Sequence, residues 1–223
     1  MDGFDAAVNM ASGSGGTAPP LRILFVLGVL SLLPAIVLSA TSFVRTVVVL
    51  SFVRQGIGTQ QTPPTQVIVG LALFMTAFTM SPIAQEIQTN ALAPYQQGQV
   101  TDAQALNLAS EPVKMFMLRQ TREADLAMFF EASHKPIPQK AEDVPLSIAA
   151  PAFIVSELTT AFQMGVLVLL PFLVIDLAVS SILMSMGMMM VPPSSISLPI
   201  KLLLFVIVDG WNLIIGSLLR SFG

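Results

Sequence analysis

The sequence has no cysteine and a single histidine, His134, among its 223 residues. The first absence excludes disulfides, thiolate nucleophiles and cysteine-ligated metals, and the second excludes metal sites built from several histidines. No Ser/His catalytic pattern, glycine-rich phosphate loop or nucleotide-binding motif occurs either. We therefore predict a protein that is not an enzyme and has no catalytic residue, no cofactor and no metal.

Charged residues are scarce as well. They make up only 10% of the chain, against about 25% in a typical soluble domain. Hydrophobic residues make up 54%, and the mean hydropathy is +0.79. These values predict an all-α, membrane-associated protein, and the net charge of -3 argues against nucleic acid as a partner.

Four long apolar runs predict long kinked helices and helical hairpins. The run over residues 145–191 would extend about 70 Å as one helix, more than twice a hydrocarbon core of about 30 Å. We therefore expect it to bend or fold back, with Gly165, Pro171 and Gly187 as candidate break points. The other runs cover residues 21–38, 66–88 and 200–219.

Composition divides the chain into four regions. Residues 1–20 lack the basic start of a signal peptide and predict a disordered N-terminal tail, followed by a retained apolar span. We assign the rest to a first hydrophobic hairpin (21–86), an extramembrane helical domain (87–144) and C-terminal hydrophobic helices (145–223).

Local patterns predict two helices in the extramembrane domain. Thr101 and Gln104 form a capping-box pattern, which predicts a short helix that ends near Ser110. Ser110 and Pro112 then predict the start of a second helix.

Two arginines bear on orientation. The short connection over residues 42–65 carries Arg45 and Arg54 and no acid, which favours the cytoplasmic side for it. The extramembrane domain and both termini then lie on the periplasmic side.

Four ionisable residues lie within or beside the last two apolar zones: Glu157, Asp176, Lys201 and Asp209. An intramembrane charge is costly unless it is paired or hydrated. A bridge between Glu157 and Lys201, within or between subunits, is one economical pairing, and snorkelling of Lys201 from a helix end is the alternative. Asp176 and Asp209 lack the glycine-flanked pattern of an intramembrane aspartyl protease, so we expect them at helix ends or in hydrogen bonds to Trp211 and Asn212.

Several segments together resemble the FliP family of flagellar biosynthetic proteins. They are "SFVRTVVVLSFVRQGIGTQQTPPTQVIVGLALFMTAFTMSP", "FMLRQTREADLAMFF", "PAFIVSELTTAFQMG", "PFLVIDLAVSSILMSMGMMMVPP" and "LPIKLLLFVIVDGW". The resemblance covers about residues 21–222 and favours the flagellar branch over the SctR-type relatives of type III secretion injectisomes. One departure is Thr159, which stands where many family members have a lysine, so Lys201 is the nearer partner for Glu157.

The resemblance implies a core subunit of the flagellar type III protein export gate, a helical oligomer in the bacterial inner membrane at the flagellar basal body. Its implied partners are FliQ- and FliR-like subunits, further copies of itself (five are expected), FlhA- and FlhB-like gate proteins, unfolded export substrates and membrane lipid. The family is not enzymatic. It also holds much of its apolar helix above the bilayer plane, which would change the hydropathy-based topology.

A methionine-rich stretch, "MSMGMMMVPP", ends the third apolar run. Flexible, polarisable methionine suits contacts whose shape changes. By resemblance, Met188, Met189 and Met190 form a pore gasket supported by Met184 and Met186, and Pro192 and Pro193 end the helix and set the gate loop. The alternative from the residues alone is that the methionines fill a gap between helices.

A polar helix in the extramembrane domain is a candidate assembly surface. Its charges alternate in sign and can pair between subunits, and two phenylalanines supply apolar anchors. The residues are Arg119, Arg122, Glu123, Asp125, Phe129 and Phe130. A solvated helix face is the alternative.

Two other function classes stay open at this point. A small-solute or ion channel or transporter subunit would use Glu157, Asp176 and Asp209 as an ion path. A scaffold without a pore would tolerate smaller residues at positions 188–190.

Overall fold

The computed structural model describes residues 27–28, 31, 34–35, 38–59, 62–188 and 190–223, and the predicted N-terminal tail lies outside these residues. Within them the regular structure is helical and no strand occurs, which confirms the all-α prediction. The helices are α1 (Phe43–Ile57), α2 (Thr65–Thr79), α3 (Ser81–Ile87), a π-helical turn (Gln88–Leu92), α4 (Ala93–Gln96), α5 (Asp102–Gln120), α6 (Glu123–Ala132), a 3₁₀ turn (Ala141–Asp143), α7 (Leu146–Ser185), α8 (Ser194–Ile207) and α9 (Gly210–Arg220).

Helix α1 occupies most of the stretch that we predicted to be a polar connection. Seven of its 15 residues are buried, including Arg45 and Val49. Gly58 ends it in the left-handed conformation, with φ of 86°, and its amide donates to the Gln55 carbonyl over 3.1 Å. Because Arg45 lies in a buried helix and not in a loop, it no longer supports the orientation argument, which is left with Arg54 alone.

Helices α1 and α7 pack closely through glycines on both helices. A β-carbon added at Gly56 of α1 would lie 2.6 Å from Cδ2 of Phe172 on α7. In the reverse sense, the Phe52 ring of α1 covers Gly165 of α7, where an added β-carbon would overlap it. The ring of Phe52 also meets that of Phe162 edge-on, with centroids 5.2 Å apart. Each helix thus places an aromatic ring over a glycine of the other.

Helix α7 is continuous over 40 residues, about 60 Å at the usual rise. The predicted breaks at Gly165 and Pro171 are therefore wrong. The reason at Gly165 is tertiary, since the glycine makes room for the Phe52 ring. The predicted break at Gly187 is confirmed, because the helix ends two residues before it.

The helices of the predicted extramembrane domain divide at a different place from the one we predicted. The capping box at Thr101 and Gln104 is present. Pro112, however, lies inside a single helix, and the break comes after Gln120. There the backbone amide of Arg122 donates to Ser156 Oγ on α7 over 3.0 Å, so a tertiary hydrogen bond replaces a helical one.

One described helix, α7, is long and apolar enough to cross a membrane, and two bent helix pairs satisfy the same criteria if each is taken as one span. The first pair is α2 with the segment Ser81–Gln96, bent by 52°, and the second is α8 with α9, bent by 63°. Together these helices support a membrane-associated protein.

Candidate functional site

The methionine-rich loop joins the end of α7 to the start of α8. Gly187 has φ of 73°, a left-handed conformation that suits glycine. The amide of Met188 donates to the Leu183 carbonyl over 3.0 Å, and the Gly187 amide donates to the Met184 carbonyl over 3.1 Å. This pair of hydrogen bonds is the Schellman arrangement, which ends a helix sharply and turns the chain away from its axis.

The described methionines of the loop point away from the core of the chain. Met184, Met186 and Met188 are all exposed, and Met190 is 98% exposed. Met189 lies outside the described residues. The four described side chains therefore fill no gap between helices of their own subunit.

Pro192 and Pro193 lie directly before α8 and do not end α7, which is a correction to our prediction. The α7 helix stops at Ser185, well before them. The Pro193 carbonyl accepts from the Ser197 amide over 2.9 Å, and the Pro192 carbonyl accepts from Ser195 Oγ over 2.6 Å. Proline suits such a position because its fixed φ is already helical.

Glu157 lies deep in the protein and pairs with Arg45 of α1. The side chains are 0% and 3% exposed, respectively. Arg45 Nε donates to Glu157 Oε2 over 3.0 Å, and its Nη2 donates to Oε1. The pairing is bidentate, a strong form of charge-assisted hydrogen bond.

Arg45 also contacts two other segments, the residues after α9 and the end of α5. Its Nη1 donates to the carbonyl and the hydroxyl of Ser221 over 2.8 and 3.0 Å, and its Nη2 donates to Gln120 Oε1 over 3.1 Å. The guanidinium carbon lies 4.2 Å from the centroid of the Phe222 ring. The five hydrogen bonds equal the five N–H donors of a guanidinium.

Lys201 pairs with Asp176 and not with Glu157. Lys201 Nζ lies 2.6 Å from Asp176 Oδ2, and the lysine side chain is 7% exposed whereas that of the aspartate is 41% exposed. The structure therefore does not bring Glu157 and Lys201 together within one chain, because each has a nearer partner. Snorkelling of Lys201 is also wrong for this chain, since its charged end is buried in an ion pair. A Glu157–Lys201 bridge between subunits stays a prediction.

Asp209 lies at the joint between α8 and α9, as we expected of a residue at a helix end. It has φ of 51°, and its Oδ2 accepts a hydrogen bond from Asn212 Nδ2 over 3.1 Å. Trp211 packs edge-on against Phe205, with ring centroids 5.3 Å apart.

The predicted assembly helix is two helices, and part of its charge is used within the chain. Arg122 donates two hydrogen bonds to Asp125, over 2.8 and 3.0 Å, and Ser156 Oγ donates to the same carboxylate over 2.5 Å. The Arg122 hydrogen bonds hold the pKa of the Asp125 carboxyl below its usual range, against the opposing effect of burial. Arg122 and Asp125 thus fasten α6 to α7.

The other predicted assembly residues divide into exposed and buried ones. Arg119 and Glu123 are exposed and form no ion pair within the described part of the chain. Phe130 is 2% exposed and packs in a core cluster, with Phe129 partly buried against it. Phe130 is therefore a core residue and not a surface anchor.

No group of three or more His, Asp or Glu side chains among the described residues is placed to hold a metal ion.

Sequence reasoning missed Arg45, Gln120 and Ser221. A usable signal existed for Arg45 alone, since an arginine followed by "TVVVLSFV" is unusual in an apolar helix and requires an acid nearby. Nothing in the local sequence marks Gln120 or Ser221.

Comparison with known proteins agrees with the resemblance in the sequence. The sequence model of the FliP family matches residues 26–218. The chain belongs to the FliP family. The flagellar biosynthetic protein FliP of Pectobacterium carotovorum is 50% identical over 211 residues, which cover 94% of this chain and 82% of the relative. FliP of Bacillus subtilis is 48% identical, over 96% of this chain and 98% of the relative, and FliP of Caulobacter vibrioides is 49% identical, over 96% and 81%.

Proposed function

We propose that this FliP-family chain is a core subunit of the flagellar type III protein export gate. It assembles in the bacterial inner membrane, at the flagellar basal body, with FliQ- and FliR-like subunits and further copies of itself. FlhA- and FlhB-like proteins complete the gate, which passes unfolded flagellar proteins. Relatives named as flagellar biosynthetic proteins along the whole chain support the flagellar context.

The exposed methionines carry the proposed role of the gate loop. Four described methionine side chains are exposed at the end of α7 and in the turn between α7 and α8. Because thioether side chains are flexible and adapt to varied surfaces, a ring of such loops closes when empty and yields to a passing polypeptide. Met188, Met189 and Met190 form the seal in this proposal, and Met184 and Met186 support it.

Exposed apolar helix faces support assembly with other subunits. Phe74 of α2 is 80% exposed, and Leu177 of α7 and Val206 of α8 are 69% and 74% exposed. Such faces require lipid or protein cover. In the extramembrane region, the exposed Arg119 and Glu123 are the proposed contacts between subunits.

The acids of the rival ion-path hypothesis are engaged in other contacts. Glu157 is enclosed with Arg45, Asp176 pairs with Lys201, and Asp209 accepts from Asn212. No observation on the described residues favours that second function.

Ion conductance across membranes that contain the closed complex tests the seal. Changing Met188, Met189 and Met190 together to Ala should raise the conductance, because several methylenes and a sulfur are lost from each subunit. Protein export should largely persist, since a looser seal still passes a chain. Met128→Ala is the matched control, because Met128 is exposed on α6, away from the loop. Equal conductance in the triple variant and the parent would reject the seal.

A further inference from the structure

Helices α8 and α9 form a bent pair that is attached to the rest of the chain by few fully buried residues. Of the 14 residues of α8, only Ser197, Lys201 and Phe205 are buried, and they are spaced four apart on one stripe. In α9 only Gly210 and Leu218 are buried. A left-handed residue and a bend of 63° separate the two helices. The bent pair therefore rests on a small number of fully buried residues, and partly buried residues of α9 add to this contact.

Ser221 and Phe222, which follow α9, supply an additional contact at the end of the bent pair. We call these two residues the strap. The Ser221 carbonyl and hydroxyl accept from Arg45, and the Phe222 carbonyl accepts from Gln120 Nε2 over 3.3 Å. The Phe222 ring lies against the Arg45 guanidinium and packs on the cluster around Phe116. The strap thus joins α9 to both α1 and the extramembrane helix α5.

The side chain at position 45 needs the geometry of arginine as well as its charge. Two hydrogen bonds neutralise Glu157, and three more reach Ser221 and Gln120. A lysine supplies a point charge with three donors and cannot reach all these partners at once. Neutralising Glu157 therefore explains only part of the role of Arg45, because its remaining N–H donors bind Ser221 and Gln120.

We propose that Arg45 is a positioning residue for the methionine loop. It acts through the strap, which lies at the opposite end of the bent α8–α9 pair from the loop. Holding α9 against α1 and α5 fixes where α8 starts, and α8 starts at the loop. The proposal rests on the proposed function for what the loop does. Thiol labelling and distance measurement report structure and not conductance. A negative result in the conductance test of the seal therefore does not decide this proposal.

Thiol labelling of the cysteine-free chain measures whether α9 is seated. Leu218→Cys places the single thiol at a position that is 0% exposed in α9, and Ala149→Cys places it in a separate buried cluster beside α6. Phe222→Ala should raise the labelling rate at position 218 by about tenfold or more and leave that at position 149 unchanged. Arg45→Lys should also raise the labelling rate at position 218, but by less than Phe222→Ala does. Arg220→Gln, on an exposed neighbour of the strap, is the control.

Pulsed electron–electron distance measurement follows the loop itself. Spin labels at Met190→Cys and Glu123→Cys sit on exposed positions, separated by about 45 Å from the rise of α7. Phe222→Ala should broaden this distance distribution, and Arg220→Gln should not. If Phe222→Ala leaves the labelling rate at position 218 unchanged, the strap does not hold α9 and the proposal is overturned. If labelling becomes faster but the distance distribution is unchanged, the strap does not position the methionine loop. An equal rise at position 149 overturns the proposal too, because the strap is then part of one global core.

Discussion

Arg45 and Glu157 lie 112 residues apart in sequence and form an ion pair with almost no exposure to solvent. Around this pair meet α1, the first third of α7, the end of α5 and the residues that follow α9. A buried ion pair contributes little against an apolar pair of the same shape, but it is costly to break on one side. It therefore determines which helices can lie together more than it determines overall stability.

Glu157→Gln should lower the free energy of unfolding by about 3–5 kcal/mol, because it leaves the Arg45 charge buried without a counter-charge. The measurement is thermal or denaturant unfolding in detergent, followed by circular dichroism. Glu123→Gln, which removes an exposed acid, is the matched control and should leave the unfolding midpoint unchanged. The double change Arg45→Met with Glu157→Leu should recover much of the loss at the ion pair. If Glu157→Gln has the same unfolding midpoint as the parent, the ion pair has no role in holding the helices together.

Lys201 should be energetically coupled to Asp176 in the single chain and not to Glu157. Double-mutant cycles with Lys201→Met, Asp176→Asn and Glu157→Gln measure this coupling from unfolding midpoints. In the assembled complex, the yield after each change tests the separate prediction that Glu157 and Lys201 bridge neighbouring subunits. Lys201→Ala should then reduce complex recovery more than expression. Coupling between Glu157 and Lys201 in the isolated subunit would contradict the pairing seen here.

Asp125 should stabilise the chain at neutral pH and lose this effect in acid. Its pKa is lowered in the folded state from the ordinary value of 3.8, chiefly by hydrogen bonds from Arg122. A lowered carboxyl pKa gives stability that is complete above the unfolded-state pKa and disappears as the pH falls through the folded-state pKa.

The measurement compares the parent with Asp125→Asn over a range of pH. At pH near 7 the parent should be more stable by about 1.5–3 kcal/mol, the value of a hydrogen bond to a charged group. The difference should shrink as the pH falls below 3.8. A difference that stays constant down to the lowest pH would mean that Asp125 acts by shape and not by charge.

Gly165→Ala should destabilise the chain by about 1–3 kcal/mol, because the new methyl group overlaps the Phe52 ring where α1 packs on α7. Gly70→Ala is the matched control, since this glycine also lies in a helix but has no neighbouring atom within 4 Å of an added β-carbon. It should stabilise α2 by about 0.5–1 kcal/mol through helix propensity. If the unfolding midpoints of both variants shift in the same direction, the Phe52–Gly165 contact is loose.

Local patterns in the sequence were enough for several features of this protein. The shortage of charge predicts membrane association, and Thr101 with Gln104 predicts the start of α5. Gly187 predicts the end of α7, because a left-handed turn is a property of that residue and its immediate neighbours. The motifs "GMMMVPP" and "LRQTREAD" also led to the family, since they are short contiguous strings.

Features that depend on distant neighbours needed the tertiary structure. Glycine commonly interrupts a helix, yet α7 passes through Gly165, since packing against Phe52 outweighs the local preference of the glycine. The helix also continues through Pro171, which is exposed. The choice of partner for Glu157 is of the same kind: Lys201 and Arg45 are both basic, and charge alone does not distinguish them. Only the fold brings Arg45 within 3.0 Å of Glu157 and leaves Lys201 beside Asp176. The amino-acid sequence by itself determined the all-helical class, the apolar character of the chain and the methionine turn. The packing of α1 on α7 decided which charges meet, because electrostatic pairing falls off with distance in space and not along the chain.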